Sequence, residues 1–265
     1  MNILITICGR AGSKGVKNKN IRSFMGSPLI NYTIASARLF KEKHHNKNVD
    51  ICINSDSEEL LQMFIGDRDV VCIKRPMELA EDNSPKVPVI RYSLEYMEEK
   101  FIKKYDYIID LDITSPLRKA EDIENILNKA MDNLEADVVF SVVKSRRNPY
   151  FNMVESRNGK VKKIINSDYV TRQQAPQTYD MNASIYCYRR DSMLKVLKNS
   201  PLDGLYDIVL MKDTAVIDID SEEDFELMEI LAEYFFKNEF KELYNYTCAM
   251  RQQSRYPDNR KIAEK

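Results

Sequence analysis

The sequence predicts an α/β fold, a doubly wound and mostly parallel sheet that carries one inserted arm. Three observations lead there. Short apolar runs rich in β-branched residues, beginning with Ile3-Leu4-Ile5-Thr6-Ile7, recur along the chain and alternate with stretches of helical period. That alternation is the pattern of parallel βαβ units. A glycine-rich basic loop follows the first run directly, at the end of a strand where such folds bind their ligands. The alternation then breaks once, between Lys144 and Tyr179, in a polar stretch that reads as an insertion.

The loop, Cys8 to Arg22, places Gly9, Gly12 and Gly15 three apart and carries Arg10, Lys14, Lys17, Lys19 and Arg22 with no acid among them. Glycines let the backbone turn sharply and bring N–H groups close to an oxyanion. Such a loop suits a triphosphate, and by composition alone it equally suits a solvated basic loop. It is neither a phosphate loop ending in Gly-Lys-Ser/Thr nor the dinucleotide G-x-G-x-x-G. Residues 28–40 follow as a helix with Leu29, Ile30, Ile34, Ala37 and Leu39 on its apolar face, and 40–48 as a charged linker. A strand at 49–54 leads to Ser55-Asp56-Ser57, which offers N-caps for a helix reaching Phe64. A strand at 70–73 and a helix at 85–104 come next, the helix with Val87, Ile90, Leu94, Met97 and Phe101 at core spacing. The apolar run 107–111 predicts a central strand delivering Asp112, with Asp110 expected on the other face.

A helix at 119–134 and a strand at 137–143 precede the arm, within which Asn158-Gly159 signals a hairpin turn. A strand at 184–188 and a short helix at 191–198 follow. In 214–221, alternation sets Asp218 and Asp220 on one face and Ile217 and Ile219 on the other. Two carboxylates beside a phosphate loop suggest a hard cation such as Mg2+, while helix capping by Asp220 or Ser221 explains the same pattern without a ligand. Residues 225–236 read as a helix, and the chain continues as helix to about Met250 before turning polar. The expected division is one domain over 1–237, with the arm at about 144–182, and a helix and tail over 238–265.

Composition narrows the function classes. The chain has 265 residues, 43% hydrophobic and 31% charged, with net charge −1, so the basic loop is a local feature and a nucleic-acid-binding face is not expected. Five scattered cysteines without a C-x-x-C read as reduced thiols of a cytoplasmic protein. No apolar run reaches the ~18 residues of a membrane span, and no signal peptide is evident. The two histidines, His44 and His45, lie in a polar stretch and are expected to be solvated, which argues against zinc or a Ser-His-Asp triad.

The opening GRAGSKGVKNKN, with Pro28-Leu29-Ile30 after it, resembles that of the cytidylyltransferases that activate nine-carbon 2-keto acid sugars, the CMP-sialic acid synthetases. Their opening is A-R-x-x-S-K-G-x-x-x-K-N. Arg10, Ser13, Lys14, Gly15, Lys19 and Asn20 hold those places, with Gly9 where alanine is usual. Four further motifs follow in family order. Arg75-Pro76 through Leu79-Ala80 to Asp82 is similar to R-P-x-x-L-A-x-D, with Ser84 standing where a hydroxyl-rich run is common. Thr114-Ser115-Pro116-Leu117-Arg118 matches the end of L-Q-P-T-S-P-L-R, but Asp112 replaces the glutamine. Arg172-Gln173-Gln174 through Asn182-Ala183 is similar to R-Q-x-x-P-x-x-Y-x-x-N-G-A-I-Y, and Asp218-Ile219-Asp220 before a helix matches the family's D-I-D.

The resemblance implies transfer of CMP from CTP to the anomeric hydroxyl of a 2-keto-3-deoxy sugar acid, with release of pyrophosphate. It implies nucleotide contacts from Gly9, Arg10, Gly12, Ser13, Lys14, Lys19, Asn20, Arg75, Ala80, Ser84 and Asp112. It implies sugar contacts from Thr114, Ser115, Arg172, Gln173, Gln174 and Asn182. Catalysis would fall to Arg10, Lys19, Asp218 and Asp220, and Mg2+ to Asp218, Asp220 and Asp112. Asp112 is included because a carboxylate facing a triphosphate needs a cation, and related octulosonate enzymes carry an acid there as a magnesium ligand. The arm would cover a neighbour's sugar site in a homodimer, or act as a lid on a monomer. Because alanine follows Asn182 where the family has glycine, the backbone at Ala183 is expected to avoid positive φ. An octulosonate-type cytidylyltransferase and a catalytically silent nucleotide-binding homologue are the alternatives.

Overall fold

The computed structural model describes residues 1–12, 15–81, 83–213 and 218–253. Strand β1 (Asn2–Gly9) opens the chain, and a small ribbon of β2 (Ser23–Phe24) and β3 (Ser27–Pro28) leads into helix α1 (Leu29–Lys43). Then come β4 (Asn48–Ser55), α2 (Glu58–Gln62), β5 (Val70–Lys74), α3 (Lys86–Phe101), β6 (Tyr107–Leu111), α4 (Ala120–Asp132) and β7 (Val138–Lys144). The inserted stretch holds a hairpin, β8 (Val154–Arg157) and β9 (Lys160–Lys163). Its turn is Asn158-Gly159, both at positive φ, as the sequence predicts. The chain returns as β10 (Tyr179–Arg189), α5 (Arg190–Lys195) and β11 (Tyr206–Leu210), and ends in α6 (Glu222–Lys237) and α7 (Lys241–Gln253).

Seven strands form one sheet in the order β11-β7-β10-β6-β1-β4-β5. All run parallel except β10, which is antiparallel to β6 and β7. The order reverses at β1, so the crevice beyond its carboxyl end is the expected ligand site. Alternation along β1 builds both layers. Ile3, Ile5 and Ile7 pack toward α1, α4, α6 and α7, while Leu4 packs toward Val87, Ile90, Leu94 and Met97 of α3. Helix α6 starts at a capping box, Ser221 Oγ accepting from Asp224 N at 3.1 Å and donating to Asp224 Oδ2 at 2.7 Å.

Four readings of the sequence change. Helix α1 runs three residues beyond Phe40, so His44 caps a buried helix end instead of lying in solvent. Its ring centroid is 4.4 Å from that of Phe40, and its Nε2 is 3.1 Å from Glu124. Strand β11 was not predicted, because its five residues form a half-buried edge with little apolar contrast. Strand β10 begins at Tyr179, inside the stretch read as arm. Ala183, lastly, has φ +51°, against expectation. It lies where the pairing of β10 with β7 shifts register between Met181 and Tyr186, and the bulge demands the left-handed conformation whatever residue occupies it. Replacing Ala183 by glycine should therefore stabilise the fold by about 0.5–1 kcal/mol in chemical denaturation. A loss of stability would show that packing of the methyl group outweighs the strain.

Candidate active site

The first loop leaves β1 at Gly9, where an added Cβ would come within 3.0 Å of the Ile113 and Leu60 side chains. Asn20 Nδ2 donates to the Arg10 carbonyl at 3.0 Å, and Ala11 N donates to Asp56 Oδ1 at 2.9 Å. Gly12 takes φ +72°, which a side chain would resist. Arg10, Ala11, Gly12, Lys19 and Asn20 then line a pocket with Ser57 and Leu60. Ser13 and Lys14 lie outside the described residues. Lys19 opens a one-turn 3-10 helix, Lys19–Ile21, and its Nζ donates to the Ile219 carbonyl and lies 3.4 Å from Asp220 Oδ1. The loop and the Asp218–Asp220 segment are in tighter contact still at Gly15, where a Cβ would stand 1.7 Å from the Asp220 carbonyl oxygen.

Residues 214–217, part of the strand expected before this segment, lie outside the described residues, and 218–220 are not strand. The alternation nonetheless holds, with Ile219 fully buried and Asp218 and Asp220 exposed on either side. The Asp218 carboxyl is raised above the usual carboxylate range. Loss of water on its inward side is the main cause, and Asp112 and Asp220 add to it, while contact with Thr114 and the charge of Lys19 oppose it. A carboxylate so placed favours an added cation. Among the described residues no three His, Cys, Asp or Glu side chains stand close enough to enclose a metal. Two all-oxygen carboxylates open to the cleft nevertheless fit Mg2+, which is commonly held by one or two carboxylates together with substrate phosphates.

At the end of β6 the cation facing Asp112 is a lysine. Lys86 Nζ lies 2.7 Å from Asp112 Oδ2 and 2.7 Å from Asp110 Oδ2. Asp110 thus shares the face of Asp112, as residues two apart on a strand must, and the expectation that it lies on the other face is corrected. Asp110 is fully buried and accepts from Thr6 Oγ1 at 2.8 Å. Burial raises the Asp112 carboxyl, but Lys86 and the bonds from Thr114 outweigh it and hold it down at about 2. Both its oxygens are engaged, Oδ1 by Thr114 N at 3.2 Å and Thr114 Oγ1 at 3.0 Å.

Arg75 follows β5 directly. It is buried, with Nε donating to Asn54 Oδ1 at 2.8 Å and Nη2 to the Asn54 carbonyl at 2.9 Å. Ala80 ends a short 3-10 turn, Met77–Leu79, and Ser84 Oγ donates to the Glu78 carbonyl at 3.3 Å. Asp82 lies outside the described residues. On the sugar side, Arg172 Nη2 donates to the Ser145 and Arg146 carbonyls at 2.9 and 2.7 Å, and Gln174 Oε1 accepts from Val170 N and Thr171 N. Gln173 is exposed. Asn182 is buried, its Oδ1 accepting from Ser141 Oγ at 2.6 Å and Ser184 N at 3.2 Å, while its Nδ2 has no partner. Ser115 is enclosed, and its hydroxyl donates to the Asn182 carbonyl at 3.5 Å, which makes it a support for Asn182.

Three residues that were given no role of their own from the sequence contribute to the site. Arg118 is wholly buried and donates from Nη2 to the carbonyls of Asp112 and Ser184 at 2.8 and 2.7 Å, fixing the turn after β6 against β10. Gly15 matters through its contact with Asp220. Lys86 did leave a signal, since a cation in the first turn of a helix opposes the macrodipole and calls for a nearby acid. Gly15→Ala should push the Asp220 backbone away and lower CTP affinity by about tenfold in calorimetry, with the thermal transition little changed. Unchanged affinity would mean that the loop and the aspartate segment do not act together.

Comparison with known proteins gives the family. The chain is 41% identical over 229 residues to CMP-N,N'-diacetyllegionaminic acid synthase of Campylobacter jejuni subsp. jejuni, a match covering 86% of this chain and 94% of that one. Identity and coverage are the same for post-translational flagellin modification protein B of Campylobacter coli. N-acylneuraminate cytidylyltransferase of Streptococcus agalactiae is 25% identical over 249 residues, which cover 92% of this chain and 56% of that one. In fold the chain is similar to CMP:2-keto-3-deoxy-manno-octonic acid synthetase complexed with CTP, with TM-score 0.63, 14% identity, and 88% of this chain and 99% of that one covered. A family model described as cytidylyltransferase matches residues 4–245, and the chain belongs to that family.

Proposed function

We propose that this cytidylyltransferase moves CMP from CTP to the anomeric hydroxyl of a nine-carbon 2-keto-3-deoxy sugar acid of the legionaminic or sialic type, releasing pyrophosphate. The observation that carries the reading is the meeting of Lys19 with Asp220, beside Asp218, at the mouth of the loop that follows β1. In the reaction the sugar hydroxyl oxygen forms a bond to the α-phosphorus as the bond to pyrophosphate breaks, and the hydroxyl proton leaves to a carboxylate or to water. Arg10 and Lys19 bind the triphosphate and offset charge growing on the departing pyrophosphate, with loop N–H groups adding donors. Arg75, held by Asn54, would serve the nucleoside end. Asp218 and Asp220 would hold Mg2+, which when bound supplies Lewis-acid polarisation of phosphate oxygens.

On the sugar side, the buried Nδ2 of Asn182 is a donor without a protein partner, and such groups are commonly completed by a ligand. Arg172 presents a planar fork for the sugar carboxylate, and Gln173 and Gln174 lie beside it. Relatives at 41% identity favour the nine-carbon acid over the eight-carbon one. A silent homologue is disfavoured because Lys19, Asp218 and Asp220 are both kept and in contact.

The arm supports a homodimer. A two-stranded hairpin is marginal by itself in water, and this one leaves Val154, Val161 and Ile164 exposed, as a surface covered by a second copy would. No helix of the described residues is long and apolar enough to cross a membrane, and CTP and the sugar acid meet the enzyme in the cytoplasm.

Pyrophosphate release from CTP and Mg2+ with a panel of 2-keto acid sugars tests the reading. Turnover on a nine-carbon acid is expected, and preference for an octulosonate or CTP binding without turnover would replace it. Lys19→Ala and Asp220→Ala should each lower kcat by about a hundredfold or more with folding intact. Near-normal turnover in either would remove that residue from the machinery.

A further inference from the structure

We propose that Lys86 is a positioning residue for this reaction, a cation built into the chain that takes the place a metal would occupy against Asp112. The inference rests on the cytidylyltransferase reading above. Lys86 opens α3, directly after Pro85 in extended conformation at the N-cap, and from there its ammonium reaches Asp110 and Asp112 at 2.7 Å each. Its side chain is 34% exposed, while Asp110 is fully buried, so the bridge runs from the surface at the end of the sheet into the core.

Its influence passes along a short chain of contacts. Lys86 fixes one oxygen of Asp112, and the other oxygen holds the backbone and hydroxyl of Thr114. Thr114 in turn touches Asp218. Arg118 fixes the Asp112 backbone through its carbonyl, while Lys86 and Thr114 hold the carboxylate.

The charges explain why the bridge is needed. Asp110, Asp112, Asp218 and Asp220 gather at one end of the sheet, where a polyanionic nucleotide must bind. Lys86 bridges the first pair and offsets one of its two charges, and that leaves Asp218 and Asp220 as the pair open to a divalent ion. An uncharged amide in place of Asp112 would remove one charge by substitution, and this chain achieves the same local balance with an ion pair. Lys86 and Asp112 therefore form one unit. Removing the lysine alone leaves two uncompensated carboxylates, Asp112 and the buried Asp110, whereas removing both members of the Lys86–Asp112 pair leaves only Asp110, held by Thr6.

The test compares the wild type with Lys86→Met, Asp112→Asn and the double variant, using calorimetric CTP affinity, steady-state kinetics and Mn2+ counting by electron paramagnetic resonance on the CTP complex. Lys86→Met should weaken CTP binding by about tenfold or more, because breaking a bridged charge pair strands its partners. The double variant should return to within about threefold of the wild type, as expected for coupled neighbours. Asp112→Asn should retain the wild-type number of bound Mn2+ ions. Loss of a Mn2+ ion in Asp112→Asn, unchanged CTP affinity in Lys86→Met, or a double variant no better than Lys86→Met would each overturn the proposal. Should Lys86→Met not fold, the double variant decides. A folded double variant supports the charge-pair role, and an unfolded one shows that Lys86 serves packing alone. If the wild type itself neither binds CTP nor releases pyrophosphate, the functional reading fails. An active wild type with an indifferent Lys86→Met removes only this inference.

Discussion

The site depends on one contact between parts of the chain about two hundred residues apart, that of the first loop with the Asp218–Asp220 segment. The ion pair between Lys19 and Asp220 cannot by itself hold that contact. At 3.4 Å, with the Asp220 side chain 77% exposed, it belongs with surface pairs that contribute at most about 1 kcal/mol. Ile219 is the stronger anchor. It is fully buried in the core layer on the α1 side, and burial of such a side chain is worth roughly 1.5–3 kcal/mol. The absence of a side chain at Gly15 lets the loop backbone close onto the segment that Ile219 fixes. Position is thus set by apolar burial and close backbone approach, and the charged groups on either side remain available to a ligand.

The same division of labour runs through the carboxylates. Asp110 is structural, buried between Thr6 and Lys86. Asp112 is intermediate, with its carbonyl gripped by Arg118 and its carboxylate by Lys86 and Thr114. Asp218 and Asp220 are open. Charge therefore becomes less compensated from the centre of the sheet outward to the cleft. Arg118 follows the reverse logic. Burial lowers its proton affinity to about 10, yet it remains a cation at neutral pH, and the aspartates nearby favour that charge. A guanidinium sealed under β10 holds the turn that delivers Thr114, which a neutral side chain of similar size would do with fewer bonds.

Much of this was legible in the sequence because the elements that carry it are periodic. The apolar runs of β1, β4, β6 and β7 and the helical spacing in α3 and α4 have one physical reading each, burial on a sheet or against it. The basic loop and the alternating Asp218-Ile219-Asp220 were legible for the same reason, since charge and spacing are local properties. What escaped was non-local. Nothing near Lys86 in the chain shows that β6 will bring Asp110 and Asp112 to it. Nothing near His44 shows that Glu124 of α4 and the end of α1 will enclose it. Strand β11 owes its existence to a ladder with β7 and not to its own composition. The surroundings of Arg75 were likewise out of reach, because its bond to Asn54 needs β4 and β5 side by side.

Ala183 shows how a local rule yields to the sheet. By itself an alanine prefers negative φ, and that preference is worth about 1 kcal/mol. Against it stands the pairing of β10 with both neighbours. Tyr179–Met181 and Tyr186–Tyr188 both pair with β7 but in different registers, and Ile185–Arg189 is locked to β6 as well. The two registers differ, and the mismatch must be absorbed between them. Asn182, Ala183 and Ser184 absorb it, and each is tied by more than its own conformation: Asn182 to Ser141, Ser184 to Arg118. Moving Ala183 to negative φ would break those bonds or shift one register, at a cost above the strain it relieves. The bulge also turns Asn182 inward with its Nδ2 unpartnered, at the end of the sheet where Thr114 and Asp112 lie. Strain held by two ladders at once is how this fold keeps an unpaired donor in a fixed place, which a freely hinged loop could not do.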